Sequence, residues 1–157
     1  MLEPDQFDDL TNYTYRIAPF NLKGVKNVGW LKLESSISLG GVAVETLRKL
    51  KEIVTGNGIF NAIVEPIRES PCCPLCGELD LRDAKGRYLA NSELWIPAGE
   101  TIYASPISIL HYIEVHNYRP PQAYIEAIDA LELYDMFMAN DIYLEKLEES
   151  GWLGRAR

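Results

Sequence analysis

Cys73-Pro74-Leu75-Cys76-Gly77 and His111-Tyr112-Ile113-Glu114-Val115-His116 are the two stretches on which the reading of this chain turns. The first is a C-x-x-C turn. Two thiolates at that spacing face one metal ion from a tight knuckle. The amides that follow can donate hydrogen bonds to sulfur, and Gly77 suits the positive φ that such knuckles require. The second is H-x4-H, inside the range of three to five intervening residues seen for paired zinc histidines. Residues five apart on an ideal helix differ by about 140°. The helix carrying these histidines is therefore expected to tighten or end at His116.

Two sulfurs and two imidazoles suit a tetrahedral, redox-silent, borderline-soft ion, which points to Zn2+. Four protein ligands, Cys73, Cys76, His111 and His116, close the coordination sphere, so the ion is expected to be structural and no catalytic residue is assigned. The chain has three cysteines and two histidines, so nearly all of them join this pattern. Cys72 is the one left over. It is the alternative to Cys73, but a C-x3-C spacing is less usual for a knuckle. A C-x-x-C redox pair is a further reading. It would want a helix starting between the thiols, and residues 77–83 do not read as one.

Outward from this pattern, Ser105-Pro106 reads as a helix start, with Ser at the cap and Pro at the first helical position. Ile107, Leu110, His111 and Val115 would then lie near one face. The chain breaks at Asn117–Pro121. A further helix is expected over QAYIEAIDALELYDMFM, residues 122–138, with Tyr124, Ile125, Ile128 and Leu131 buried. The acidic segment NDIYLEKLEESGWL extends or repeats that helical packing. Upstream, SELWIP and TIYAS flank Ala98-Gly99-Glu100 as a hairpin. Leu79 and Leu81 alternate with polar residues, and AKGR is a turn. Residues 42–55 form an amphipathic helix with Val44, Leu47, Leu50 and Val54 on its stripe, stopped by Gly56-Asn57-Gly58. IFNAIVEPI, residues 59–67, is a short strand or buried connector. NVGWLKL, residues 27–33, has strand character, and Trp30 is read as core. Residues 1–24 form an irregular arm that packs Phe7, Tyr13, Tyr15 and Phe20 on the core.

Composition sets the class. The chain has 157 residues, 47% hydrophobic and 24% charged, as in an ordinary globular domain. One domain is expected over residues 1–157, divided into an N-terminal strand and helix part (1–70), a zinc-binding part (71–120) and C-terminal helices (121–157). The fold class is α+β, the N-terminal part packing on an elongated relative of the ββα zinc finger. No stretch reaches the roughly 20 apolar residues of a membrane span, and the acidic N-terminus does not read as a secretory signal. Crowded cysteines suit metal ligation in a reducing cytoplasm.

Carboxylates outnumber basic side chains 23 to 15, for a formal net charge of −8. That disfavours a phosphate-binding surface and suits a basic protein partner. No phosphate loop, dinucleotide fingerprint, zincin motif or nucleophile elbow is present. Glu114 could act as a base beside a metal only if the coordination sphere had an open position.

The same residues resemble an uncharacterised bacterial family of small proteins. Its motifs are matched by Asp9-Leu10-Thr11-Asn12-Tyr13-Thr14-Tyr15, by Asn27 to Leu31 (NVGWL), and by the C-x-x-C. They continue in Trp95-Ile96-Pro97, in Tyr103-Ala104-Ser105-Pro106 and in H-Y-x-x-x-H-x-Y-x-P-P at His111 to Pro121. The resemblance covers roughly residues 8–128. It implies a shared fold and metal site and carries no activity with it. Where that family commonly has a His before the C-x-x-C, this chain has Pro71-Cys72.

The expected function is a non-enzymatic, zinc-stabilised interaction protein, an acidic inhibitor or immunity-type protein that masks a basic partner. The alternative is a zinc-finger nucleic-acid-binding regulator, which the absence of Arg and Lys from SPISILHYIEV opposes. A metal-dependent hydrolase stands behind both. The oligomeric state is left open.

Overall fold

A hairpin of two six-residue strands around a two-residue corner builds the centre of the molecule. The structure, a computed structural model, describes residues 9–14, 21–31, 37–56, 58–64, 73–77, 85–86 and 92–150. Its elements are β1 (Asn12–Thr14), β2 (Asn21–Asn27), α1 (Val44–Thr55), β3 (Phe60–Asn61), β4 (Ile63–Val64), β5 (Glu93–Ala98), β6 (Thr101–Pro106), α2 (Ile109–His116), α3 (Gln122–Ala130), β7 (Phe137–Met138) and α4 (Ala139–Ser150). The fold is mixed α+β. β5 and β6 pair from Glu93↔Pro106 to Ala98↔Thr101. Their loop is Gly99-Glu100, with positive φ at Gly99 alone, the pattern of a II′ hairpin turn.

A five-stranded sheet has the order β1-β2-β6-β5-β4. β2 runs parallel to β6, and the other pairs are antiparallel. Glu93, Leu94, Trp95 and Ile96 are all buried, so β5 is covered on both faces. Strand alternation separates the two cores. Leu94 and Ile96 join Leu50 and Ile53 of α1, Leu110 and Ile113 of α2, and Tyr124 and Ile128 of α3. Trp95 joins Tyr13, Leu22, Val25 and the α4 residues Tyr143 and Leu147. Edge contacts of Trp95 with Tyr13 and Tyr143 fill the second core. The Glu93 carboxylate, buried there, accepts from Tyr13 OH at 3.0 Å and Trp95 Nε1 at 3.1 Å.

Several expectations are corrected. The strand placed over 27–33 is β2, six residues earlier at its start. Leu22 and Val25 are buried, but Gly24 at φ +79 sits in a pairing irregularity and breaks the period-two pattern. Residues 28–31 lie outside the strand, although Val28 is buried and Trp30 is half-buried with its Nε1 donating to Ala104 O. The arm holds a strand, and Tyr13 is fully buried as expected. Phe7, Tyr15, Phe20, Leu79 and Leu81 lie outside the described residues.

Pro106 does not open a helix. It ends β6, opposite Glu93, and α2 begins at Ile109 after Ser108. Val115, at 51% exposure, is not on its buried face. In α1 the buried residues are Thr46, Leu50 and Ile53, with Leu47 and Val54 flanking, whereas Val44 is 71% exposed. The helix expected over 122–138 ends at Ala130, where Leu131 turns extended. Phe137 then pairs beside Phe60 in a separate β3–β7 ribbon, their rings 5.0 Å apart. Gly56 stops α1 as expected, at φ +78. No helix among the described residues is long and apolar enough to cross a membrane.

Candidate metal centre

The cysteine half of the site is a local structure. Gly77 N–H donates to Cys73 O at 2.8 Å and closes the turn, with Gly77 at φ +75. Leu75 N–H points at Cys73 Sγ, 3.4 Å away. Leu75 also packs against the larger core, which seats the turn beside α2. Cys73 is fully buried and Cys76 is exposed.

The histidine half depends on how α2 is held. Eight residues are too few for a helix to stand alone. Its first turn rests on Gly29, where a Cβ would come within 2.8 Å of Ile109 Cδ1. Its last residue is His116, as the splay argument requires. Asn117 follows in the left-handed conformation at φ 57, its N–H donating to Tyr112 O. Gly40 and Gly41 N–H both donate to Asn117 O at 3.0 Å. Tyr118 OH donates to Asp9 Oδ2 at 2.8 Å, while Asp9 Oδ1 accepts from Gly29 N–H. One carboxylate thus ties both ends of the α2 environment to the N-terminal arm. On the side of α1, Lys51 Nζ lies 3.0 Å from Glu114 Oε2.

These anchors bring the expected ligand set together. Cys73, Cys76, His111 and His116 each offer one atom, and all four atoms lie within 4.8 Å of one another. Cys73 Sγ is 3.5 Å from His116 Nε2, and Cys76 Sγ is 3.6 Å from His111 Nε2. The two imidazole rings stand edge to face at 5.0 Å. The arrangement is compatible with a metal ion. Burial pushes the Cys73 thiol up, against the lowering by the Leu75 and Cys76 amides. Burial, helped by nearby His111, holds the His116 imidazole below its ordinary value. Without an ion Cys73 and His116 therefore favour their neutral forms. An ion reverses this for sulfur by displacing the thiol proton.

Glu114 is not in the cluster. Its side chain is 5% exposed, and only one carboxylate oxygen has a partner, from Lys51. Asp9 and Lys51 position α2, a role that sequence reasoning assigned to neither. Asp9 stood in a motif, but its role needs two partners distant in the chain.

Together the fold and site define an α+β protein with a pre-assembled cluster of two thiols and two imidazoles. Residues 5–129 match the family model described as Domain of unknown function (DUF7919), and the chain belongs to that family. β7 and α4 lie beyond the matched residues. No curated protein and no solved structure matches the chain.

Proposed function

We propose that the protein is a non-enzymatic interaction protein whose α2 region is stapled by one structural zinc ion. The distances between ligand atoms carry the metal part. With Zn–S about 2.3 Å and Zn–N about 2.0–2.1 Å at tetrahedral angles, sulfur and nitrogen ligands stand about 3.6 Å apart. Two of the four S···N separations here are 3.5 and 3.6 Å, and all four ligand atoms lie within 4.8 Å of one another. Two thiolates neutralise the ion's charge, and four protein ligands leave no position for water or substrate. In this reading residues 1–157 are one cytoplasmic domain. The knuckle, the β5–β6 hairpin and α2 then correspond in chain order to an enlarged ββα finger, its hairpin built into a wider sheet.

The interaction part rests on charge and exposure. The net charge of −8 suits a basic partner. Tyr134 at 86% and Met136 at 75% exposure stand between α3 and β7, and offer apolar anchors of the kind that dominate interfaces. Neither alternative gains an observation. α2, ILHYIEVH, has no Arg or Lys for nucleic acid, and Glu114 faces Lys51 instead of the ligand cluster.

Elemental analysis of the native protein tests the metal. One zinc per chain is expected. Cobalt substitution is expected to give the visible bands of a tetrahedral two-sulfur, two-nitrogen set. No bound metal, or bands of an open, water-ligated site, would refute the reading. Affinity enrichment from the native host tests the partner. A basic protein is expected, its binding weakened by salt and by Tyr134→Ala with Met136→Ala.

A further inference from the structure

The two sulfurs of the cluster differ in access. Cys73 is fully buried in the larger core, and Cys76 faces solvent. Among the described residues, a Cβ added at Gly77, next to Cys76, would meet nothing within 4 Å. The two sulfurs lie within 4.8 Å of each other. They sit at the ends of a four-residue turn, whose terminal α-carbons are less than about 7 Å apart. Disulfides span about 4.4–6.8 Å between α-carbons.

We propose that the centre is a peroxide-responsive release switch for its metal ion, in which Cys76 is oxidised first and Cys73 resolves it. This rests on the zinc reading above. The Cys76 thiolate attacks one oxygen of hydrogen peroxide. The O–O bond breaks, hydroxide leaves, and a sulfenic acid forms on Cys76. The Cys73 thiolate then attacks that sulfur, the S–O bond breaks, and a second hydroxide leaves. Two protons from solvent convert both hydroxides to water. The two sulfurs have together lost two electrons, and the peroxide has gained them. A neutral disulfide no longer balances the ion's charge, and two imidazoles alone hold it weakly. The ion departs, and α2 loses its tie to the knuckle. Cys72, the adjacent thiol in the chain, takes no part.

The test uses the full chain loaded with zinc. Metal content is measured first, and a chain that never binds zinc fails the zinc reading itself, separately from the switch. Hydrogen peroxide is then added while a chromogenic chelator reports free zinc and a thiol reagent counts sulfhydryls. Loss of one zinc and two thiols per peroxide is expected, with a Cys73–Cys76 disulfide on peptide mapping. Reductant plus zinc should restore the starting state, and Cys72→Ser should behave like the natural chain. Retention of zinc under excess peroxide would overturn the proposal. So would release through a disulfide to Cys72, abolished by Cys72→Ser.

Discussion

At the residue scale, Asp9 and Gly29 show how a few atoms set the position of α2. Gly29 combines φ +78 with contact against Ile109. A side chain there meets left-handed backbone strain of roughly 1–2 kcal/mol and a packing clash of similar size. Gly29→Ala is therefore expected to destabilise the protein by about 2–4 kcal/mol, read as a lower urea midpoint at unchanged slope. Tyr118→Phe removes the donor to Asp9 Oδ2 while Gly29 N–H keeps Oδ1. About 1 kcal/mol is expected to be lost. Because both changes act on one clamp, their effects in the double variant should fall short of the sum.

At the scale of the element, α2 is terminated and held by groups it does not itself contain. Asn117 at φ 57 needs a residue tolerant of the left-handed region. Asn117→Gly is expected to be near neutral. Asn117→Val should cost roughly 1–2 kcal/mol. It should also weaken zinc binding in competition with a chelator, because His116 is the preceding residue. The Lys51–Glu114 pair behaves differently. Lys51→Met strands a carboxylate whose side chain is 5% exposed. The cost of breaking such a pair is typically about 3–5 kcal/mol, and the partial exposure of Lys51 brings it to the lower end. Lys51→Met with Glu114→Leu should recover most of that loss, as measured by thermal melting of the two variants.

At the scale of the whole molecule, β5 is covered on both faces, and the cysteine–histidine cluster is joined to the larger core through Cys73 and Leu75. Chelation should leave the sheet folded while loosening the knuckle and α2. Near-neutral hydrogen exchange is expected to rise over residues 73–77 and 109–118 and to stay low in β5. A second global property follows from Tyr124. Burial, with a smaller push from Asp9, raises its phenol above the ordinary value, against a lowering by Ser105. Below about pH 10 the group is neutral in folded and unfolded chains alike. Above that, the unfolded chain releases the proton first, so stability falls as pH rises. Tyr124→Phe should flatten this alkaline decline in a pH series of denaturant melts.

The cluster of two thiols and two imidazoles was legible in the sequence because its constraints are short-range: a thiol pair on one turn, an imidazole pair at a helix end, and a chemistry few other residues share. The Gly99-Glu100 hairpin and the stop of α1 at Gly56 were legible for the same reason, as positive φ selects glycine locally. β2 was hidden by the irregularity at Gly24, and Ser105-Pro106 carried a helix-start signal that pairing with β5 overrode. The end of α3 depended on Phe137 reaching Phe60, and the exposed face of α1 on where α3 lay. Which residues could hold an ion was thus determined by the sequence alone. How α2 is fixed so that those residues meet was decided only in three dimensions, because Asp9, Gly29, Lys51 and the glycines at 40 and 41 act on it from distant parts of the chain.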